Sequence, residues 1–275
     1  IRLGICEREL TMYKAIFLDI DGTIKNDEGI ITERTKNAIK SINEMGIKVI
    51  LCSARNRDKT SEISKNCGAS QYVIAYNGAE IYDYNRKESL YKATLDSKIL
   101  TEISNLILNS KSESIITGET FGEKITDIQT VIDNEVIQSR IKLISQQDKL
   151  IEELKKFSGI SIYVLYRNDE KRIVNKKEAT QIDYFIVKEN TNKWEAIKML
   201  CKSKKISIDD IISIGDGEND IEMIQNSGLG ITLENAPEHI KRIADLVIPS
   251  NNDDGVAFFL EGLKEIIYDE ERGER

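Results

Sequence analysis

Two carboxylates and a hydroxyl stand where an apolar run ends: Ala15-Ile16-Phe17-Leu18 is followed by Asp19-Ile20-Asp21-Gly22-Thr23. Residues two apart on a strand share a face, so Asp19 and Asp21 can aim into one space, and Gly22 lets the chain turn without a side-chain clash. Two carboxylates that close repel each other. A hard divalent cation such as Mg2+, or a raised pKa on one of the acids, relieves the repulsion. Asp-Gly is also a common turn signal, and on this segment alone a solvated turn accounts for it equally.

A second group, Gly215-Asp216-Gly217-Glu218-Asn219-Asp220, adds further acids and an amide, with glycines that permit close backbone approach to an ion or a phosphate. Asp220 is placed to cap a helix starting at Ile221, a role that leaves Asp216 unexplained. A third apolar run, Ile47-Lys48-Val49-Ile50-Leu51, leads into Cys52-Ser53-Ala54-Arg55. Ligands of open parallel sheets bind beyond the carboxyl ends of the strands, and the three runs deliver Asp19 with Asp21, Ser53 and Asp216 to that edge. Taken singly, Ser53 reads as a helix cap and Lys193 as a solvated helix charge. Cys52 invites a thiol-phosphatase reading, but the arginine this requires would fall at Asp58. His239, the only histidine, follows Pro237 at a helix start, far from any motif, and reads as a surface residue. Acid-base work therefore falls to carboxylates.

The elements that would position these groups alternate. Helical spacing of Ala38, Ile39, Ile42 and Met45 ending at Gly46 predicts a helix over 32–45. A strand over 47–51, a polar helix over 58–66 and a strand over 72–76 follow, and the pattern resumes with a helix over 194–202, a strand over 211–214, a helix over 221–226 and short strands over 230–233 and 246–248. Such alternation predicts an α/β fold with a parallel sheet. Between about 85 and 187 the pattern changes to helices over 96–108 and 147–157 and strands near 114–117, 160–166, 172 and 182–187, which predicts a separate α+β lid. The expected division is an extension over 1–11, a core over 12–85 and 188–275, and an inserted domain over 86–187, joined by short hinges at 83–86 and 188–191. The charged tail 269–275 reads as a frayed, solvated end.

A chain of 275 residues fits two modest domains. Its net charge of -8 argues against nucleic acid or an anionic membrane as the main partner, while a small anionic substrate needs only local cations. Cysteines 6, 52, 67 and 201 form no C-x-x-C pair and read as free thiols in a reducing cytosol. No apolar stretch approaches the roughly 18 residues of a membrane span, and Arg8 and Glu9 stand where a signal peptide would be apolar.

With these groups assembled, the chain resembles the haloacid dehalogenase (HAD) superfamily, and within it the Cof-type phosphatases of subclass IIB, which carry a large α/β cap after the third core strand. Asp19-Ile20-Asp21-Gly22-Thr23 matches the family's first motif, Ser53 its second, Lys193 its third and Gly215-Asp216-Gly217-Glu218-Asn219-Asp220 its fourth, in order. Asn77-Gly78-Ala79 and Ser250-Asn251-Asn252-Asp253-Asp254-Gly255-Val256 also look like that branch, and the resemblance covers nearly everything after Met12. Ala54 replaces a usual glycine, Trp194 stands where glycine often follows the lysine, and Ile231-Thr232-Leu233-Glu234-Asn235-Ala236 is an unusual late loop.

The resemblance implies a Rossmann-like parallel-sheet core with an inserted α+β cap, and a Mg2+-dependent phosphatase working through an aspartyl-phosphate. Asp19 would be the nucleophile and Asp21 the general acid and base. Asp19, Asp216 and the backbone carbonyl of Asp21 would hold Mg2+, with Asp220 as ligand or orienter. Ser53, Lys193 and Asn219 would donate to the phosphate, joined by Thr23, Ala54 and Arg55. The implied partner is a small phosphorylated metabolite, sugar phosphates first and a cofactor phosphate such as pyridoxal phosphate second, met in the cytoplasm by a monomer or small homo-oligomer. A phosphomutase of the same branch and a non-enzymatic phosphoacceptor module are the alternatives.

Overall fold

The computed structural model describes residues 13–110, 113–118, 122–124, 136–143, 148–167 and 179–272. The expected extension over 1–11 and the strand near 172 lie outside the described residues. Contacts divide the chain into two units, Ile1–Leu90 with Asn192–Arg275, and Tyr91–Thr191.

In the first unit, strand β1 (Ala15–Leu18) is followed by helix α1 (Glu33–Glu44), β2 (Lys48–Cys52), α2 (Arg57–Asn66), β3 (Tyr72–Ala75), β4 (Glu80–Asp83) and β5 (Glu88–Lys92), the last straddling the boundary. The second unit holds α3 (Ser97–Ser110), β6 (Glu113–Gly118), β7 (Gly122–Lys124), β8 (Val136–Leu143), α4 (Asp148–Leu154), β9 (Ile160–Arg167) and β10 (Gln181–Lys188). The chain then returns to the first unit with α5 (Lys193–Lys204), β11 (Ile211–Ile214), α6 (Ile221–Asn226), β12 (Leu229–Leu233), α7 (Glu238–Lys241), β13 (Leu246–Ile248) and α8 (Gly255–Arg272).

The first sheet runs β13-β12-β11-β1-β2-β3-β4-β5. From β13 to β3 every described pairing is parallel, with Phe17 opposite both Ser213 and Ile50, while β4 runs antiparallel to β3. This is the expected α/β architecture. Parallel strands are covered on both faces, so β1 and β11 are wholly buried and nearly all apolar. Helix α1 starts where the Thr32 side chain accepts the Thr35 N–H, and buries Ala38, Ile39 and Ile42. Helix α8 lays Val256, Ala257, Phe259, Leu260, Leu263 and Ile266 into the same core. It continues through Arg272, so Asp269 to Arg272 are helical and not the frayed end expected from their charge.

The second unit packs α3 and α4 through Leu100, Ile103, Ile107, Leu150, Ile151 and Leu154 against residues of β9 and β10, in a sheet ordered β7-β6-β8-β10-β9 with every described pairing antiparallel. The hinge expected at 83–86 is instead a hydrogen-bonded turn between β4 and β5: the N–H groups of Asn85 and Arg86 donate to Asp83 Oδ1 at 3.0 and 3.1 Å. Among the described residues no helix is long and apolar enough to cross a membrane.

We predict that Phe259→Ala lowers the unfolding free energy by about 3–5 kcal/mol, as a cavity in a fully buried site should. Met199→Ala, at an exposed position of α5, should stay within about 0.5 kcal/mol. Urea unfolding of both variants checks the pair, and equal losses would mean that α8 does not pack as described.

Candidate active site

The site is built where β1, β2 and β11 end. Asp19 N–H donates to the Ile214 carbonyl at 3.0 Å, which prolongs the β1–β11 pairing by one residue and holds Asp19 at the carboxyl edge, buried. Asp216 comes two residues after β11. Gly22 has φ +89°, and a Cβ there would lie 2.2 Å from Asp216 Oδ2, so only glycine lets the two acidic loops approach. Thr23, buried beside it, donates from Oγ1 to Asp216 Oδ1 at 2.7 Å.

Lys193 binds the loops together. It opens α5, capped by Asn192 Oδ1 accepting the Glu195 N–H at 2.7 Å, and its side chain is fully buried. Its Nζ donates to Asp19 Oδ1 and, at 2.6 Å, to Asp220 Oδ1. The other Asp220 oxygen accepts the backbone N–H groups of Asp216 and Gly217 at 3.2 and 3.0 Å. Asp220 therefore does not cap α6 through its side chain, as its position suggested; the carboxylate turns back to shape its own loop. Ligand oxygens of Asp19, Asp216 and Asp220 lie within 4.8 Å of one another. Three converging carboxylates facing one ammonium suit a hard divalent cation.

The electrostatics agree. Burial pushes the Asp19 carboxyl up to about 7, with Asp220 and Asp21 adding to the rise and Lys193 opposing it. Desolvation also raises Asp216 well above the usual carboxylate range, helped by Asp19 and Asp220. Burial works against the Lys193 charge, but Asp19 and Asp220 more than offset it, so the ammonium stays protonated. Cys52, buried behind this cluster, has its thiol pushed well up by burial, the opposite of an activated nucleophile.

The remaining residues form two pairs beside this network. Asp21 is half-buried and held by Arg55, whose Nε and Nη2 donate to Oδ2 at 2.6 Å and Oδ1 at 2.5 Å. Ser53 is buried and is not a helix cap: its Oγ accepts the Arg55 N–H at 3.1 Å, while α2 is capped by Asn56 accepting from Lys59. Asn219 Nδ2 donates to Asn77 Oδ1 at 2.8 Å. Ala54, half-buried, adds no polar side-chain atom. Asn77 was legible only within Asn77-Gly78-Ala79, a segment that resembles the capped branch; nothing in the sequence pairs it with Asn219. His239 is exposed, as expected, but it is not remote from the motifs, because its Nε2 lies 2.6 Å from Glu218 Oε1.

Residues 16–260 match the sequence profile of the haloacid dehalogenase-like hydrolases. This chain belongs to that family. It is 28% identical over 262 residues to the 5-amino-6-(5-phospho-D-ribitylamino)uracil phosphatase YcsE of Bacillus subtilis, covering 91% of this chain and 96% of that one. It is 30% identical over 278 residues to a chloroplastic protein of Arabidopsis thaliana named endoribonuclease YBEY, but spans only 47% of that longer protein. A solved HAD subclass IIB sugar phosphatase superposes with a TM-score of 0.76 at 20% identity, over 91% of this chain and 99% of the other. The family and the capped branch that the motifs resembled are thus borne out, and the chain is an enzyme of the hydrolase class.

We predict that Lys193→Met costs about 3–5 kcal/mol of stability without divalent cation, because it strands buried carboxylates. Adding Asp220→Asn should recover about 1–3 kcal/mol of that loss. Chemical unfolding of both variants is the measurement, and no recovery in the double variant would mean that the two side chains are not energetically coupled.

Proposed function

We propose that this hydrolase is a Mg2+-dependent phosphatase of small phosphomonoesters, with sugar-like phosphates as its first substrate class. The observation that carries the reading is the convergence of Asp19, Asp216 and Asp220 around Lys193. The Bacillus relative, whose name describes a phosphate ester on a ribityl chain, supports the substrate class.

In this reading a carboxylate oxygen of Asp19 attacks phosphorus, and the bond from phosphorus to the ester oxygen breaks as the aspartyl-phosphate forms. Asp21 gives its proton to the departing oxygen. Asp21 then takes a proton from water as the water attacks the same phosphorus, which frees inorganic phosphate and restores the Asp19 carboxylate. Mg2+, held by Asp19 and Asp216 with the Asp21 carbonyl, would neutralise charge on the transferring group. Asp220 orients the loop, while Lys193, Ser53 and Asn219 supply hydrogen-bond donors to the phosphate. Thr23 contributes by fixing the Asp216 carboxylate. The unit Tyr91–Thr191 interrupts the core between β5 and α5, and we assign it the role of a cap that selects the leaving group. Among the described residues Cys52, Cys67 and Cys201 are free and buried, which supports placement in the cytoplasm.

We predict that Asp19→Asn keeps the fold but leaves under about a hundredth of the wild-type phosphate release from p-nitrophenyl phosphate, since the amide cannot serve as nucleophile. A variant with an intact circular dichroism spectrum and more activity than that would remove the covalent step.

Chelation followed by gel filtration should silence the enzyme, Mg2+ should restore it, and Ca2+ should inhibit, because calcium accepts more ligands at longer distances and would engage both Asp19 oxygens. Undiminished turnover after metal removal would take the cation out of the reading.

A further inference from the structure

Both carboxylate oxygens of Asp21 accept bonds from a side chain whose own backbone is tied down on either side. Arg55 approaches Asp21 as a fork, Nε to Oδ2 and Nη2 to Oδ1, a geometry that fixes the plane of the carboxylate as a point charge could not. The Arg55 N–H donates to Ser53 Oγ at 3.1 Å, and its carbonyl accepts the Tyr76 N–H at 2.8 Å. One residue on, the Asn77 N–H donates to the Ser53 carbonyl at 2.9 Å. Tyr76 and Asn77 make these bonds from left-handed backbone, at φ +50° and +59°, a conformation that persists in non-glycine residues only where the surroundings impose it. Here the surroundings are close: a Cβ on Gly78 would lie 2.0 Å from the Asn192 carbonyl, next to Lys193. The fork is thus anchored through loop 76–78 to the same helix start that delivers the buried ammonium.

As a structural contact the fork is partly screened, because Arg55 and Asp21 are 33% and 27% exposed, and only its bidentate geometry lifts it above an ordinary surface ion pair. A proton-transferring carboxyl, by contrast, gains from a fixed plane, because transfer needs heavy atoms within hydrogen-bond reach and in line. Each carboxylate oxygen has two lone-pair sites, and the fork takes one on each. We propose that Arg55 is a positioning residue for Asp21, aiming its carboxyl at the ester oxygen that leaves, rather than a contact to the phosphate. This rests on the phosphatase reading.

The test compares leaving groups in the protein of 275 residues. Protonation matters most for a poor leaving group, so Arg55→Ala should lose at least about ten-fold more kcat on β-glycerophosphate than on p-nitrophenyl phosphate. The inhibition constant of orthovanadate, a probe of the phosphate pocket, should stay within about three-fold. Arg55→Lys keeps the charge without the fork and should show the same selective loss at smaller size; it also carries the comparison if the alanine variant fails to fold. Equal losses on both esters, or vanadate binding weakened in step with kcat, would overturn the positioning role and return Arg55 to the phosphate. A wild-type protein that releases phosphate from neither ester would instead sink the phosphatase reading itself.

Discussion

One buried ammonium holds the site together. Lys193 Nζ reaches from the first turn of α5 to Asp19 at the end of β1 and to Asp220 in the loop after β11, three segments that meet only if the sheet is correctly registered. Removing a lysine from water is costly, and the cost is offset only because two carboxylates receive it at hydrogen-bond distance. The acids depend on it in turn. Asp19 and Asp216 are raised by desolvation and mutual repulsion, so the pocket retains an unmet demand for positive charge beyond Lys193. In the proposed reading a divalent cation meets that demand.

Close backbone approach is what allows so few charges to act together. Gly22 admits the Asp216 carboxylate, Gly215 admits the Asp220 carboxylate, and Gly78 admits the start of α5, each at a distance that any side chain would fill. The loops are therefore placed by contact with one another as much as by the strands they follow. Parallel strands bring their carboxyl ends to one edge, and steric fit between glycines and acids then sets which oxygen points where.

That division explains what the sequence revealed. The strand ends carrying Asp19, Ser53 and Asp216 were legible because buried parallel strands are short apolar runs whose last residue is conspicuous when polar. Strand β4, Glu-Ile-Tyr-Asp, was hidden because Glu80 and Asp83 are buried acids at its ends, which no period-two reading expects. Strand β8 carries Gln138, Ser139, Arg140 and Lys142 and so lacks an apolar run. In α8 the charges of the last turn mask the apolar face that begins at Val256. The direction of the Asp220 carboxylate, the Asn77–Asn219 pair and the His239–Glu218 contact all join residues from different segments or depend on a rotamer, and local pattern contains neither.

The two acids of the first motif end in different surroundings although only Ile20 separates them. Asp19 is buried against an ammonium and two further acids, whereas Asp21 is half-buried and faces a guanidinium. In the proposed reading the attacking carboxylate must be held rigid and partly stripped of water, because its task is to meet phosphorus along one line. A proton carrier must instead remain in reach of both the leaving oxygen and the incoming water, so it belongs at the rim. Alternation along the chain alone would have given the pair a common environment. The turn at Gly22 and the fork of Arg55 break that equivalence, and the proposed division of labour between nucleophile and acid builds on it.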